Sequence, residues 1–135
     1  MLENINIYQH KVALGESGED YLEAILILGN KQRPVRIKDI AQFLDVSRPS
    51  VVAAISALAQ KGLTRHEYYG GVELTAKGRL CADAVYQRHL LLERFLRRIL
   101  GVSAEVAQRD ACRLEHALSA ETIKRLMVFI EKRKG

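Results

Sequence analysis

Residues 37 to 60 constrain this chain more than any other stretch. Ile37, Ile40, Ala41 and Leu44 recur at helical spacing, and the pattern restarts with Val51, Val52, Ile55 and Leu58 facing a core. Asp45-Val46 makes the turn between them. Ser47 supplies a hydroxyl to cap the second helix, and Pro49 falls in its first turn, where a missing N–H leaves no hydrogen bond unmade. Small Ala41 suits a close crossing of the two helices, and Val46 is expected to plug the turn. Helix, tight turn and helix in so short a span is the helix-turn-helix arrangement.

The next segment adds a wing. Lys61-Gly62 closes the second helix, and two short strands, Leu63 to Tyr68 and Val72 to Leu74, flank Tyr69-Gly70-Gly71, where glycine supplies the positive φ of a tight hairpin. Thr75 then caps a helix expected to run to about Leu100. Upstream, Ser17-Gly18-Glu19-Asp20 reads as a helix start with Tyr21, Ile25 and Leu28 as its stripe, and Arg33-Pro34 ends it. Helix-turn-helix, hairpin and helix together make a winged-helix domain.

Beyond the wing, Leu92, Phe95, Leu96 and Ile99 form a core stripe that Gly101 terminates. Ser103 and Ser119 can cap two further helices, the last with Ile123, Leu126, Met127 and Ile130 as its stripe. Two short amphipathic helices cannot bury such stripes against one small domain, so a homodimer is expected. The fold class is therefore mainly α. A winged helix-turn-helix domain covers residues 1–78, with 1–15 as an N-terminal arm, and an all-helical dimerisation domain covers residues 79–135.

Composition narrows the function classes. With 48% hydrophobic and 27% charged residues among 135, the chain is ordinarily globular. Its apolar runs fall short of the ~18 to 20 residues of a membrane span, and Met1-Leu2-Glu3-Asn4 lacks the pattern of a secretory signal. A cytoplasmic protein without membrane partners is expected. Cys81 and Cys112 make no disulfide framework, which leaves free thiols as potential ligands, and the net charge of +5 permits nucleic-acid binding.

A helix entering the major groove reads base edges with side chains near its N-terminus, here Ser47, Arg48, Pro49, Ser50 and Ala53. Arg48 can fork onto a guanine, and the Pro49 ring or Ala53 methyl can touch a thymine methyl. Arg36, Lys38, Arg65 and Tyr68 would hold phosphates on the flanks, fixing register without reading sequence.

A second constellation carries different chemistry. In Cys112-Arg113-Leu114-Glu115-His116, helical spacing puts a thiol, a carboxylate and an imidazole on one face. Asp20 and Glu23 do the same three residues apart, and His89 and Glu93 four apart. Asp20, Glu23, His89, Cys112, Glu115 and His116 together could ligate a divalent ion that bonds at once to the winged domain and to the dimer helices. No His-Glu-x-x-His helix or nucleophile motif is present, so no enzyme and no small-molecule substrate is expected. The other reading of the same residues is a winged-helix regulator that answers to a non-metal ligand, with the ligand set a coincidence of solvated helix faces.

The chain resembles the diphtheria-toxin-repressor and manganese-transport-regulator family of metal-dependent transcriptional repressors. The likeness covers nearly all of residues 17–131. It is carried by Glu19-Asp20-Tyr21-Leu22-Glu23, Ser47-Arg48-Pro49-Ser50-Val51, the run from Gly71 to Gly78, Arg88-His89 with Glu93-Arg94-Phe95-Leu96, and Cys112-Arg113-Leu114-Glu115-His116. The resemblance implies a homodimer that binds operator double-stranded DNA when loaded with Mn2+ or Fe2+, one or two ions per subunit, and represses metal-uptake genes. Asp20, Glu23, His89, Glu115 and His116 match ligands of the manganese-responsive branch, whereas Cys112 matches the iron-responsive one. His89 and Glu93 also match that branch's ancillary site, where Gln108 replaces a further His. The SH3-like third domain of longer members is expected to be absent.

Overall fold

The computed structural model describes residues 15–31, 33–67 and 70–133 of the chain. The element order is α1 (Gly15–Lys31), α2 (Ile37–Leu44), α3 (Arg48–Gln60), β1 (Thr64–Glu67), β2 (Gly71–Leu74), α4 (Ala76–Arg94), α5 (Ala104–Ala117) and α6 (Ala120–Arg133). Two compact units divide inside α4, between Asp83 and Ala84. The expected arm, residues 1–14 of it, lies outside the described residues, and so does Tyr68.

In the first unit α1 packs with α2, α3 and β2 around Leu22, Ile25, Val35, Ile40, Val51, Ile55, Leu58, Leu63 and Val72, all of them buried. α1 begins at Gly15, ahead of the expected start at Ser17, because first-turn N–H groups need no intrahelical partner and a helix can start at a glycine. α2 ends in Asp45 at φ 56°. The Asp45 N–H donates to Gln42 O and the Val46 N–H to Ala41 O, so a Schellman turn is built without glycine. Val46 does not plug this turn. It stands exposed, and the turn is closed by backbone hydrogen bonds instead.

The Ser47 Oγ accepts from the Ser50 N–H, and its hydroxyl also pairs with that of Ser50 at 2.8 Å, which caps α3 as expected. Val51 is 0% exposed but Val52 is 49% exposed. Two adjacent residues stand about 100° apart around a helix, so the 51, 55, 58 stripe claims Val51 and turns Val52 outward.

β1 and β2 pair antiparallel, Thr64 opposite Leu74 and Glu67 opposite Gly71, and Val35 adds an isolated bridge to Val72. Gly71 takes φ 84°, and a Cβ there would come within 2.6 Å of the Val35 carbonyl oxygen, so only glycine fits. The Thr75 Oγ1 accepts from the Gly78 N–H, and its hydroxyl donates to the Gly62 carbonyl, tying the start of α4 to the end of the recognition segment.

The second unit is helical throughout among the described residues. α4 does not continue to Leu100 as a uniform α-helix. After Arg94, Phe95–Ile99 form a π-helical turn, with the Leu100 N–H donating to Phe95 O, and Gly101 closes it at φ 75°. The wider turn rotates Phe95, Leu96 and Ile99 onto the core that Ala84, Leu91, Leu92, Ala111, Ile123 and Ile130 form with Leu126 and Met127. Ser103 and Ser119 accept from the N–H groups of Val106 and Thr122, capping α5 and α6. No described helix is long and apolar enough to cross a membrane.

Candidate metal centre and nucleic-acid interface

The α3 N-terminus presents its face to solvent. Ser47, Arg48, Pro49, Ser50 and Ala53 are all exposed, and Arg36 and Lys38 stand exposed at the start of α2. The Ser47 hydroxyl is engaged in the cap, which makes it a holder of the helix start as much as a contact. The Arg36 N–H donates to the Asp39 carboxylate, fixing where α2 begins. Arg65 lies on the wing in an exposed ion pair with Glu73 at 3.5 Å. Val52, assigned to the core by its apolar character, belongs instead to the exposed face of α3 beside Ala53.

The second unit gathers chemistry around one carboxylate. Glu115, on α5, is 1% exposed. Its Oε2 lies 3.0 Å from His89 Nδ1 and its Oε1 3.3 Å from His116 Nε2. The Cys112 Sγ stands 3.7 Å from the same His89 nitrogen. On the far side of the imidazole, Nε2 meets Gln108 Oε1 at 3.1 Å and Glu93 Oε2 at 3.3 Å. Glu93 is also held by Arg97 at 3.5 Å. Thus His89, Glu93, Gln108, Cys112, Glu115 and His116 come together within this unit. Asp20 and Glu23 belong to the first unit, where they share a face of α1, Glu23 buried and Asp20 half-buried.

Arg88 is the residue whose part the sequence left unread. Buried one position before His89, it donates from Nε to the Glu115 carbonyl at 3.2 Å and so locks α5 against α4 at the level of the cluster. A buried guanidinium is sustained only when its donors find acceptors.

Burial by itself disfavours the His89 imidazolium. Hydrogen bonds to Cys112, Glu115 and Gln108, together with the Glu115 charge, outweigh it and push the group up to about 11. A carboxylate as deeply buried as Glu115 requires a positive partner, because removing it from water alone costs several kcal/mol. In the metal-free protein the His89 imidazolium fills that part.

The donor set also fits a divalent transition ion. A buried carboxylate, two imidazoles and a thiol combine hard, borderline and soft donors of the kinds that divalent first-row ions take. Holding the ion requires His89 to give up a proton. Metal affinity is therefore expected to fall about tenfold for each unit of pH below about 11 from this group alone. Calorimetry of Mn2+ binding in buffers of different ionisation enthalpy checks this through the proton released. For the metal-free fold the sign is opposite. A raised imidazole contributes stability in full below the unfolded value of about 6.5, and that contribution is lost as the pH rises towards about 11.

Residues 75–134 match the family model described as iron dependent repressor, metal binding and dimerisation domain, and residues 13–72 match iron dependent repressor, N-terminal DNA binding domain. An uncharacterised HTH-type transcriptional regulator of Methanocaldococcus jannaschii is 36% identical over 122 residues, which is 90% of this chain and 98% of that protein. The transcriptional regulator MntR of Escherichia coli is 40% identical over 114 residues, 84% of this chain and 73% of MntR. A solved manganese-dependent transcriptional repressor in complex with manganese is similar at a TM-score of 0.78 with 35% identity over 84% of this chain. The chain spans about half of that longer repressor, 52% of it. This chain belongs to the iron-dependent repressor family of metal-dependent, DNA-binding transcriptional regulators.

Proposed function

We propose that this chain is a cytoplasmic, homodimeric repressor of metal-uptake genes that engages its operator when loaded with Fe2+ or Mn2+. In this reading residues 1–78 read DNA, and residues 79–135 bind metal and dimerise. Asp20, Glu23, His89, Cys112, Glu115 and His116 hold the ion. The observation that supports it most is the burial of Glu115 with His89, His116 and Cys112 arranged around its two oxygens. Two further carboxylates at one-turn spacing on α1 complete a set of the right charge and number.

The bound ion supplies a fixed positive charge that couples ligands from both domains. Asp20 and Glu23 then become the levers through which α1, and with it the reading head, is oriented. Orientation matters because the two recognition helices of a dimer must sit about 34 Å apart to meet successive half-sites. Preferential binding to the DNA-competent arrangement shifts the population towards it, and operator DNA tightens metal binding by the same factor.

Carboxylate and imidazole ligands suit Mn2+, the ion bound in the similar manganese-dependent repressor, whereas the Cys112 thiolate tilts affinity towards Fe2+. Exposed Val128 and Phe129 on α6, and Leu100 after the π turn, leave apolar surface for a second copy to cover.

At the DNA, Arg48 reads a base while Arg36, Lys38, Arg65 and Tyr68 hold phosphates. Arg48→Ala is expected to cost about 1 to 3 kcal/mol of discrimination between operator and random DNA. Gel-shift titration on both DNAs measures this, and equal losses on the two would reduce Arg48 to a phosphate contact. The whole reading is tested by titrating metal-free protein with Mn2+ and Fe2+ under anaerobic conditions while following operator affinity. Affinity should rise steeply with either ion, and an operator affinity unchanged at saturating metal would overturn it.

A further inference from the structure

We infer that Glu93 and Gln108 are positioning residues that hold the His89 ring by its Nε2–H, so that Nδ1 alone is offered to metal and no ion sits on the Nε2 side. This rests on the metal-binding role proposed for His89 above.

The hydrogen-bond chemistry supports it. The Glu93 carboxylate lies 3.3 Å from Nε2 as an ion-pair partner, and its negative charge favours a proton on that nitrogen. The Gln108 amide oxygen, 3.1 Å from Nε2, is the hydrogen-bond acceptor for that N–H. The opposite nitrogen faces Glu115 Oε2 and Cys112 Sγ, the two other donors of the proposed centre. An imidazole that gives one nitrogen to a metal keeps its proton on the other, and an acceptor beyond that proton fixes both tautomer and ring angle. Here Gln108 is that acceptor, with the Glu93 charge beside it. Glu93 is itself anchored by Arg97, whose positive charge 3.5 Å away balances the carboxylate without a second cation. Gln108 contributes a neutral amide oxygen, a weak ligand for a borderline transition ion but a good acceptor for N–H.

Cd2+ is the probe, because it is diamagnetic and its 113Cd nucleus splits the signal of a directly bonded nitrogen. On the full 15N-labelled chain, ring proton-nitrogen correlations should show His89 with 113Cd coupling at Nδ1 and a proton at Nε2. Gln108→Leu should weaken Cd2+ binding about 10- to 100-fold at unchanged stoichiometry, and Gln108→Glu, which keeps an acceptor, should restore it. Coupling at Nε2, loss of one bound ion in Glu93→Gln or Gln108→Leu, or unaltered affinity in Gln108→Leu would overturn the inference alone. Cd2+ bound without any change at His89 would overturn the proposed centre and this inference together.

Discussion

Glu115→Gln is expected to abolish the metal response of operator binding while leaving the fold and weak non-specific DNA binding in place. The substitution is isosteric, so the packing of α5 is kept, and the backbone carbonyl that receives Arg88 is untouched. What is lost is the charge. Both carboxylate oxygens of Glu115 face imidazole nitrogens, and a neutral amide there neither attracts a dication nor balances the His89 imidazolium. Some stability of the metal-free protein is lost as well, about 1 to 3 kcal/mol for a charge-assisted buried contact. His116→Ala should abolish the response too, by removing a ligand without removing the charge. Operator affinity with saturating Mn2+ or Fe2+ against a chelator reads the effect, and circular dichroism checks the fold. A variant that kept its metal-dependent repression would remove Glu115 from the centre.

Gly78→Ala is expected to be the most destabilising small change in the first unit, by about 3 kcal/mol or more. A Cβ at Gly78 would run into the carbonyl of Leu63, a residue with no exposed surface. The helix start cannot retreat, because the Thr75 N–H donates to that same carbonyl and the Thr75 hydroxyl to Gly62. Gly62→Ala is the control. It meets nothing within 4 Å and is opposed only by φ 77°, which costs about 1 to 2 kcal/mol. Urea unfolding of both variants should rank Gly78→Ala well below Gly62→Ala, and equal midpoints would show that the α4 start yields more readily than its hydrogen bonds suggest.

The helical order of the chain was legible because its punctuation is local. Ser47, Thr75, Ser103 and Ser119 cap the helices they precede through bonds that span three residues, and a three-residue relation can be read from the string. Glu115, His116 and Cys112 were likewise visible as one face of one helix. Relations that depend on packing were not. Val51 and Val52 are chemically identical, and only the direction of the core separates the buried one from the exposed one. The π turn at Phe95–Ile99 leaves no mark in residue type. It arises where widening the helix lets three apolar side chains reach the core of the second unit. The bond from Arg88 to Glu115 joins residues 27 apart in sequence, so no spacing rule could have announced it. His89 is legible as a candidate ligand, but the division of labour between its two nitrogens follows from Glu93 and Gln108 arriving on one side while Glu115 and Cys112 arrive on the other.

Crystals grown with each ion, with anomalous diffraction recorded at the iron and manganese absorption edges, test the proposed centre most directly. The expected result is an anomalous peak bonded to the Glu115 carboxylate, His116 and His89 Nδ1, with Cys112, Asp20 and Glu23 completing its ligands. A peak remote from Glu115, or none in protein whose operator affinity nevertheless rises with the ion, would contradict it.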